Sequence, residues 1–339
     1  MSNLHLTFGI IGTGRIAHKH AIEIKHIGGT LIGCFDINFN KSWEFAEKHG
    51  AKKYDCLDNL LQDDSINIIV VCSPNGLHAE HTLSALNTGK HVVCEKPMAL
   101  NLDDCKKMID AAEKNNRQLF MVMQNRFNPP VVELKKIIEQ NLLGNISNVH
   151  LSCYWNRNNE YYTNSEWKGT KELDGGVLYT QFSHFIDILI WMFGEVEDLN
   201  AMVGNFNHKE VITIEDSGII NLRFKNKILC TINYSINAFK KNYEGSLTVI
   251  GEKGIVKVGG QYLNKMECCE IENYIPKLIP EGKSENDYGE YQGSMSNHDK
   301  VYQNVVNVFA SQEKIATTGT EGMSTVSLIE EIYRKAIWN

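Results

Sequence analysis

Residues 6 to 17 constrain this chain most: Leu6-Thr7-Phe8-Gly9-Ile10-Ile11-Gly12-Thr13-Gly14-Arg15-Ile16-Ala17. An apolar run of strand character reaches Gly-x-Gly-x-x-Ala and opens into a helical pattern. A strand that turns on glycines into a helix start makes an anion pocket, because free backbone N–H groups and the positive end of the helix face one point. Gly12 permits the tight turn, Gly14 lets the backbone approach a pyrophosphate, and Ala17 lets the helix pack close on the sheet. Arg15 and Ile16 begin that helix beside the same point. A glycine triplet alone is weak, but a second apolar run, Leu31-Ile32-Gly33-Cys34-Phe35, ends in Asp36, at the expected distance of about 20 residues. An acid at the tip of a second strand accepts hydrogen bonds from ribose hydroxyls and repels a 2′-phosphate, which points to NAD rather than NADP. The plainer alternative is a glycine-rich turn that binds nothing.

The pattern continues as strands alternating with helices. Lys41 to His49, Leu77 to Thr88 and Leu102 to Asn115 read as helices. Ile66 to Cys72 is nearly all apolar and β-branched, as a parallel strand buried on both faces requires, and His91 to Cys94 and Leu119 to Met123 read as further strands. Such alternation predicts βαβ units in a doubly wound parallel sheet. Near residue 125 the rhythm changes. Asn148 to Asn156 alternates like a half-exposed antiparallel strand, Arg157 to Gly176 is a polar, aromatic-rich loop, and Val177 to Phe193 reads as one helix stopped by Gly194. Segments 196–206, 211–225, 227–238, 245–250 and 254–259 read as strands, 281–297 as a polar loop, and about 299–311 and 322–337 as helices. The expected division is therefore a Rossmann α/β domain over 1–124 and an α+β domain with a mainly antiparallel sheet over 125–339.

Composition narrows the class. The chain has 339 residues and a formal net charge of -7, and carries no basic stripe, which argues against a nucleic-acid partner. Nine cysteines, an odd number with no Cys-x-x-Cys spacing, suit a reducing compartment better than a disulfide framework. No apolar run reaches the ~18 residues of a membrane helix, and the N-terminus enters a strand at once, without the look of a signal peptide. The expectation is a soluble cytoplasmic protein without a membrane partner. His18-x-His20 and His78-x-x-His81 lack companion ligands at site spacing, so no metal is expected.

Gly-x-Gly-x-x-Ala, Asp36, Ser73-Pro74-Asn75-x-x-His78, Glu95-Lys96-Pro97 and Gly175-Gly176 followed by His184-x-x-Asp187 together resemble the glucose–fructose oxidoreductase / inositol 2-dehydrogenase (Gfo/Idh/MocA) family. The resemblance spans essentially the whole chain, and Glu95-Lys96-Pro97 is its most specific mark. It implies a substrate held between a Rossmann domain and an open antiparallel sheet, a sheet face that builds a homodimer or homotetramer, and a Lys96–Pro97 peptide that is commonly cis. Lys96 ends a parallel strand, at the edge where open α/β sheets bind ligands. There an ammonium can stabilise a developing alkoxide or take part in proton transfer. Without the other motifs it would read as a solvent lysine. His184, on the following helix, suits general acid/base work; by itself it would read as a locally satisfied helix histidine. Lys96 and His184 are the expected catalytic pair. Ser73, Asn75 and His78 are expected along the adenosine ribose and pyrophosphate, Glu95 at the nicotinamide ribose, Asn125 beside the nicotinamide, and Arg126 in a structural ion pair. His298 stands where it could reach the pocket.

Many family members carry an Asp four residues before this histidine, whereas this chain has Thr180, followed by Gln181. Gln124 to Pro129, Tyr154-Trp155-Asn156-Arg157, Tyr161-Tyr162, Trp167-Lys168-Gly169-Thr170 and Asp174-Gly175-Gly176 resemble one branch, the bacterial UDP-N-acetyl-2-amino-2-deoxy-glucuronate 3-dehydrogenases. Thr180 fits neither the family's Asp nor the amide usual in that branch. The branch implies oxidation of the C3 hydroxyl of a UDP-linked N-acetylated uronic acid. Arg157 then becomes a candidate clamp for the carboxylate. Asn156, Tyr162, Thr180 and Gln181 become hydroxyl or amide partners, and Trp167 a cover for cofactor or sugar. Each of these has an equal alternative as loop packing or a surface hydrogen bond. A dehydrogenase of a free sugar or polyol, or a non-catalytic NAD- or sugar-binding sensor, remain the competing functions.

Overall fold

The strand–helix alternation of the first third and the strand-rich remainder pack separately. The computed structural model describes residues 5–276, 279, 285–287 and 292–339. It divides into one unit of Met1–Met123 with His298–Val326 and another of Gln124–Asn297 with Ser327–Asn339.

In the first unit six strands, β1 (Thr7–Ile11), β2 (Thr30–Phe35), β3 (Lys52–Lys53), β4 (Ile68–Val71), β5 (His91–Cys94) and β6 (Leu119–Met121), form a sheet of order β3-β2-β1-β4-β5-β6. Every pairing is parallel. The order reverses at β1, so ligand-binding ends converge where β1 and β4 lie side by side. The helices are α1 (Arg15–His26), α2 (Phe39–His49), α3 (Leu57–Leu61), α4 (His78–Asn87) and α5 (Leu102–Lys114). Ile68 to Val71 are fully buried, as an inner strand covered on both faces demands. The expected division after residue 124 assigned everything beyond it to the second domain. Residues 298–326 instead pack with the first unit. Tyr302 of a later helix sets its ring 5.9 Å from Phe8, and Phe309 sets its ring 4.8 Å from His91 and 5.9 Å from Phe120.

The second unit adds α6 (Pro129–Glu139), β7 (Ile146–Tyr154), α7 (Asn159–Thr163), α8 (Val177–Thr180), α9 (Ser183–Phe193), β8 (Val196–Gly204), β9 (Ser217–Phe224), β10 (Leu229–Ser235), β11 (Glu244–Gly251), β12 (Gly254–Gly259), β13 (Lys265–Ile271), β14 (Glu285–Asp287) and β15 (Gln292–Met295). After these come α10 (His298–Phe309), which belongs to the first unit, α11 (Gly319–Lys335), whose residues to Val326 also pack there, and the edge strand β16 (Ile337–Trp338). The large sheet runs β13-β12-β11-β7-β10-β9-β8-β16.

Its ladders are antiparallel except two, β7 with β10 and β8 with β16. Asn148 to Asn156, expected to be antiparallel, is so toward β11 and parallel toward β10. Alternation in sequence reports which face is covered, with Val149, Leu151 and Cys153 buried, and is silent on the neighbour's direction. The single helix expected over 177–193 is two, broken at Gln181-Phe182, where Phe182 adopts φ -116 and ψ 7. The strand expected from 211 starts at Ser217. The loop expected over 281–297 lies partly outside the described residues; its described parts include the small β14–β15 pair.

Candidate active site

The glycine turn is built as its sequence demands. Gly12 adopts φ +85, and a Cβ there would lie 2.7 Å from the Cys72 carbonyl and the Ser73 nitrogen, so β1 and β4 approach closely only because the position is glycine. Gly14 caps α1 without a side-chain hydrogen bond, and a Cβ on it would meet nothing within 4 Å. That leaves an open approach to the N–H groups of Arg15 and Ile16 at a helix N-terminus. Ala17 is fully buried, the close helix–sheet contact expected of the third slot. Asp36 accepts from the Thr13 N–H at 2.7 Å and its hydroxyl at 3.1 Å, and from the Asn38 N–H at 2.8 Å. Its carboxylate is thereby fixed at the tip of β2. Beside it Ile37 is 97% exposed, an apolar side chain at this edge that the sequence analysis did not single out.

After β4, Ser73 and Asn75 precede α4, with Asn75 buried. His78 sets Nδ1 2.6 Å from the Pro97 carbonyl and Nε2 2.9 Å from the Ser73 carbonyl, tying the end of β4 to the Glu95-Lys96-Pro97 corner. Burial holds its pKa below the ordinary value against the pull of those carbonyls. The Ser73 hydroxyl meets His81 Nδ1 at 2.8 Å. The Lys96–Pro97 peptide is cis, and Lys96 is half-buried directly after β5.

Glu95, expected at the nicotinamide ribose, is 6% exposed with Oε1 2.8 Å from His20 Nε2 and 3.4 Å from His298 Nε2, while Oε2 accepts the Lys96 N–H at 3.2 Å. His20 Nδ1 in turn meets the Tyr302 hydroxyl at 2.8 Å. Despite its burial, the two histidines hold the Glu95 carboxyl well below its usual range, and burial lowers His20. The fold thus supplies His20 with companions that spacing did not reveal. The three ligand atoms lie within 4.8 Å of one another, but the 2.8 Å His20–Glu95 contact is hydrogen-bond distance, shorter than the ~3 Å between two ligands of one ion. We read the trio as a buried ionic hydrogen-bond network.

The second unit carries the remaining candidates. Arg126 donates to Asp187 through Nε and Nη2, both at 2.7 Å, so Arg126 is the structural ion pair expected and Asp187 is its partner. Asn125 is 1% exposed, and neither end of its amide has a hydrogen-bond partner among the described residues. His184, in the first turn of α9, is 2% exposed.

Arg157, the candidate carboxylate clamp, is held in a hydrogen-bond network. It is 2% exposed, donates from Nε to Gln181 Oε1 at 2.9 Å, and from Nη1 to the Asn156 carbonyl at 2.6 Å and Asn242 Oδ1 at 3.1 Å. Its guanidinium also stacks near Trp155 and Tyr161. Gln181 completes the link through Nε2 to the Tyr161 hydroxyl at 2.9 Å. Asn156 gives its amide to the Ala238 carbonyl at 2.6 Å, and Tyr162 is buried against the rings of Tyr161 and His208. Trp167 is half-buried in a turn whose carbonyl accepts from the Thr170 hydroxyl at 2.7 Å.

Thr180 is half-buried and donates to the Asp174 carboxylate. Asp174 also accepts the Gly169 N–H at 2.8 Å, and burial pushes its carboxyl up to about 6. Behind it, Glu215 accepts from the Val177 N–H at 3.0 Å, the Tyr333 hydroxyl at 2.5 Å and the Tyr234 hydroxyl at 3.3 Å; burial raises its carboxyl to about 7. Gly176, at φ +137, has no room for a Cβ beside the Tyr333 hydroxyl. Glu215, Asn242 and Tyr302 are not legible in the sequence, because each reaches its partners from a distant stretch and nothing local marks it.

The open helix N-terminus at Gly14, the fixed Asp36 and the close β1–β4 approach fit a dinucleotide. Residues 6–123 match the family described as "Oxidoreductase family, NAD-binding Rossmann fold", and residues 131–257 match the "GFO/IDH/MocA C-terminal domain". The chain belongs to the Gfo/Idh/MocA oxidoreductases and is an NAD-dependent enzyme of that family. It is similar to the WlbA dehydrogenase of Bordetella pertussis, solved in complex with NADH and UDP-GlcNAcA, at 31% identity and TM-score 0.90 over 99% of this chain and 96% of that one. It is also similar to glucose-6-phosphate 3-dehydrogenase of Bacillus subtilis, at 32% identity over 72% of each chain. A third relative is myo-inositol 2-dehydrogenase of Thermotoga maritima, at 29% over 74% of each. Among the described residues no helix is long and apolar enough to cross a membrane.

Proposed function

We propose that this protein oxidises a sugar hydroxyl, the C3 hydroxyl of a UDP-linked N-acetylated glucuronate, with NAD as hydride acceptor. The observation that carries this reading is the similarity over nearly the entire chain, second unit included, to a dehydrogenase holding NADH and UDP-GlcNAcA. Bound NAD supplies the acceptor for the hydride that leaves the carbinol carbon. The chain's residues do the rest. The Gly12–Ile16 turn holds the pyrophosphate, and Asp36 takes the adenosine ribose. Lys96 stabilises the developing alkoxide, and His184 takes part in moving its proton. Asn125 offers an amide suited to a carboxamide or hydroxyl. Arg157, Gln181 and Asn242 form a network that orders the substrate loop rather than a single clamp. The helix-free face of the second unit's sheet, with Met202, Ile219, Leu229 and Ile250 exposed, is the surface for a homodimer or homotetramer.

The test is NADH formation with UDP-N-acetylglucosaminuronate against free sugars. Preference for the nucleotide sugar supports the proposal. Preference for glucose 6-phosphate or inositol, for which the Bacillus and Thermotoga relatives are named, moves the assignment to a dehydrogenase of a sugar phosphate or free polyol.

A further inference from the structure

The acid missing from the position four residues before His184 has not left the site; it stands one hydrogen bond behind it. Thr180 occupies that position, half-buried at the end of α8, and its hydroxyl donates to the carboxylate of Asp174, which is 1% exposed. A hydroxyl that gives its proton to a carboxylate presents its oxygen as an acceptor. A reachable hydroxyl in front of a buried carboxylate is the arrangement of a one-step proton relay.

We propose that Thr180 and Asp174 form a proton exit for the reacting sugar hydroxyl, with Asp174 as the acceptor that Thr180 serves. The assignment rests on the dehydrogenase reading given above. As the carbinol carbon is oxidised to the ketone and its hydride, with both electrons, reduces NAD, the sugar O–H proton passes to Thr180 Oγ1, with His184 taking part in the transfer. The proton already on Thr180 passes to Asp174 Oδ1, and afterwards leaves to solvent by the reverse relay once the product has gone. Nothing else is consumed. Thr180 is the group that touches substrate, and Asp174 acts through it.

The surroundings suit this role. Asp174 is held near 6 by burial, set against the donors Thr180 and Gly169 and the charge of Lys168. It is therefore ionised at neutral pH yet basic enough to take a proton. The other titratable groups facing it are Glu215, raised by burial and by Asp174 itself, and Tyr162, raised by burial with contributions from Tyr161 and Asp174. Both are neutral at pH 6, and the remaining charges that face this cluster are the cations Lys168, which lowers Asp174, and Arg157, which acts on Tyr162.

The test is the pH dependence of kcat with NAD and UDP-N-acetylglucosaminuronate, or whichever sugar the wild type turns over, in wild type, Thr180→Val, Thr180→Ser and Asp174→Asn. NADH affinity is measured in parallel by nicotinamide fluorescence. The expected result is an acid limb near pH 6 in the wild type. Thr180→Val and Asp174→Asn lower kcat by about 100-fold and abolish the limb, Thr180→Ser recovers most of the rate with the limb, and NADH affinity stays within about threefold in all. Thr180→Val keeps the side-chain shape and leaves the Asp174 contact to Gly169 in place, so it carries the test if Asp174→Asn does not fold. An unchanged limb and rate in Thr180→Val overturns the assignment and leaves the dehydrogenase reading standing. A wild type that reduces no NAD with any sugar overturns both.

Discussion

Arg126 grips Asp187 with two parallel hydrogen bonds of 2.7 Å, between side chains 6% and 2% exposed. Asp187 lies three residues beyond His184, and its ion pair with Arg126 anchors α9 to the turn that follows β6. Removing one partner strands the other charge in the interior. Asp187→Asn and Arg126→Met are each expected to destabilise the fold by about 3–5 kcal/mol. The double change to apolar residues should cost less than the two single changes summed. Urea unfolding measured by circular dichroism checks both statements.

Gly12 and Gly14 are expected to fail differently. Gly12→Ala forces a Cβ onto β4 backbone at a φ of +85 and is expected to lower Tm. Gly14→Ala has room within the protein but fills the approach to the helix N-terminus, so it is expected to fold normally and weaken NADH binding by at least about tenfold, ~1.4 kcal/mol. Thermal melts paired with fluorescence titration separate the two.

Asp36 is expected to set the choice of dinucleotide. Asp36→Asn keeps an oxygen acceptor for only one of the Thr13 and Asn38 N–H groups, which reach different carboxylate oxygens, and removes the charge that repels a 2′-phosphate. The ratio of kcat/KM for NAD over NADP is expected to fall by about 10- to 100-fold, the worth of a charged hydrogen bond. Parallel initial rates with the two dinucleotides measure it.

Glu215 gives stability an unusual slope. Its carboxyl is raised by burial from 4.5 to about 7, so between those values the folded state holds a proton that the unfolded state releases. Stability from this group is present below about pH 4.5 and is lost as pH rises through about 7. Glu215→Gln keeps an acceptor for the Val177 N–H and removes the ionisation. Relative to wild type it is expected to gain stability progressively from pH 5 to 8, by at most about 3 kcal/mol. Urea midpoints across that range give the answer; a constant difference would refute it.

What the sequence made legible was whatever repeats locally. The Gly12–Ala17 turn, Asp36 and the buried parallel strands are written as spacing and apolar runs, and the structure has them in place. Lys96 was found because it follows a strand in the company of Glu95 and Pro97. Where partners come from far along the chain, sequence was blind. Nothing near Glu95 in the sequence announces its partners His20 and His298. Arg157 read as a candidate carboxylate clamp, and nothing local announces its partner Asn242, 85 residues away. The β7–β10 pairing is parallel for reasons no alternation records. Residues 298–326 return to the first unit through Tyr302 and Phe309, whose apolar spacing marks a helix without saying what it packs against.

The most direct test concerns Lys96. In Lys96→Met, NADH affinity by fluorescence titration is expected to stay within about threefold of wild type, while NAD-dependent turnover of the sugar falls by about 100-fold or more. Turnover within tenfold of wild type, with NADH still bound, would contradict the assignment of the reacting alkoxide to this lysine.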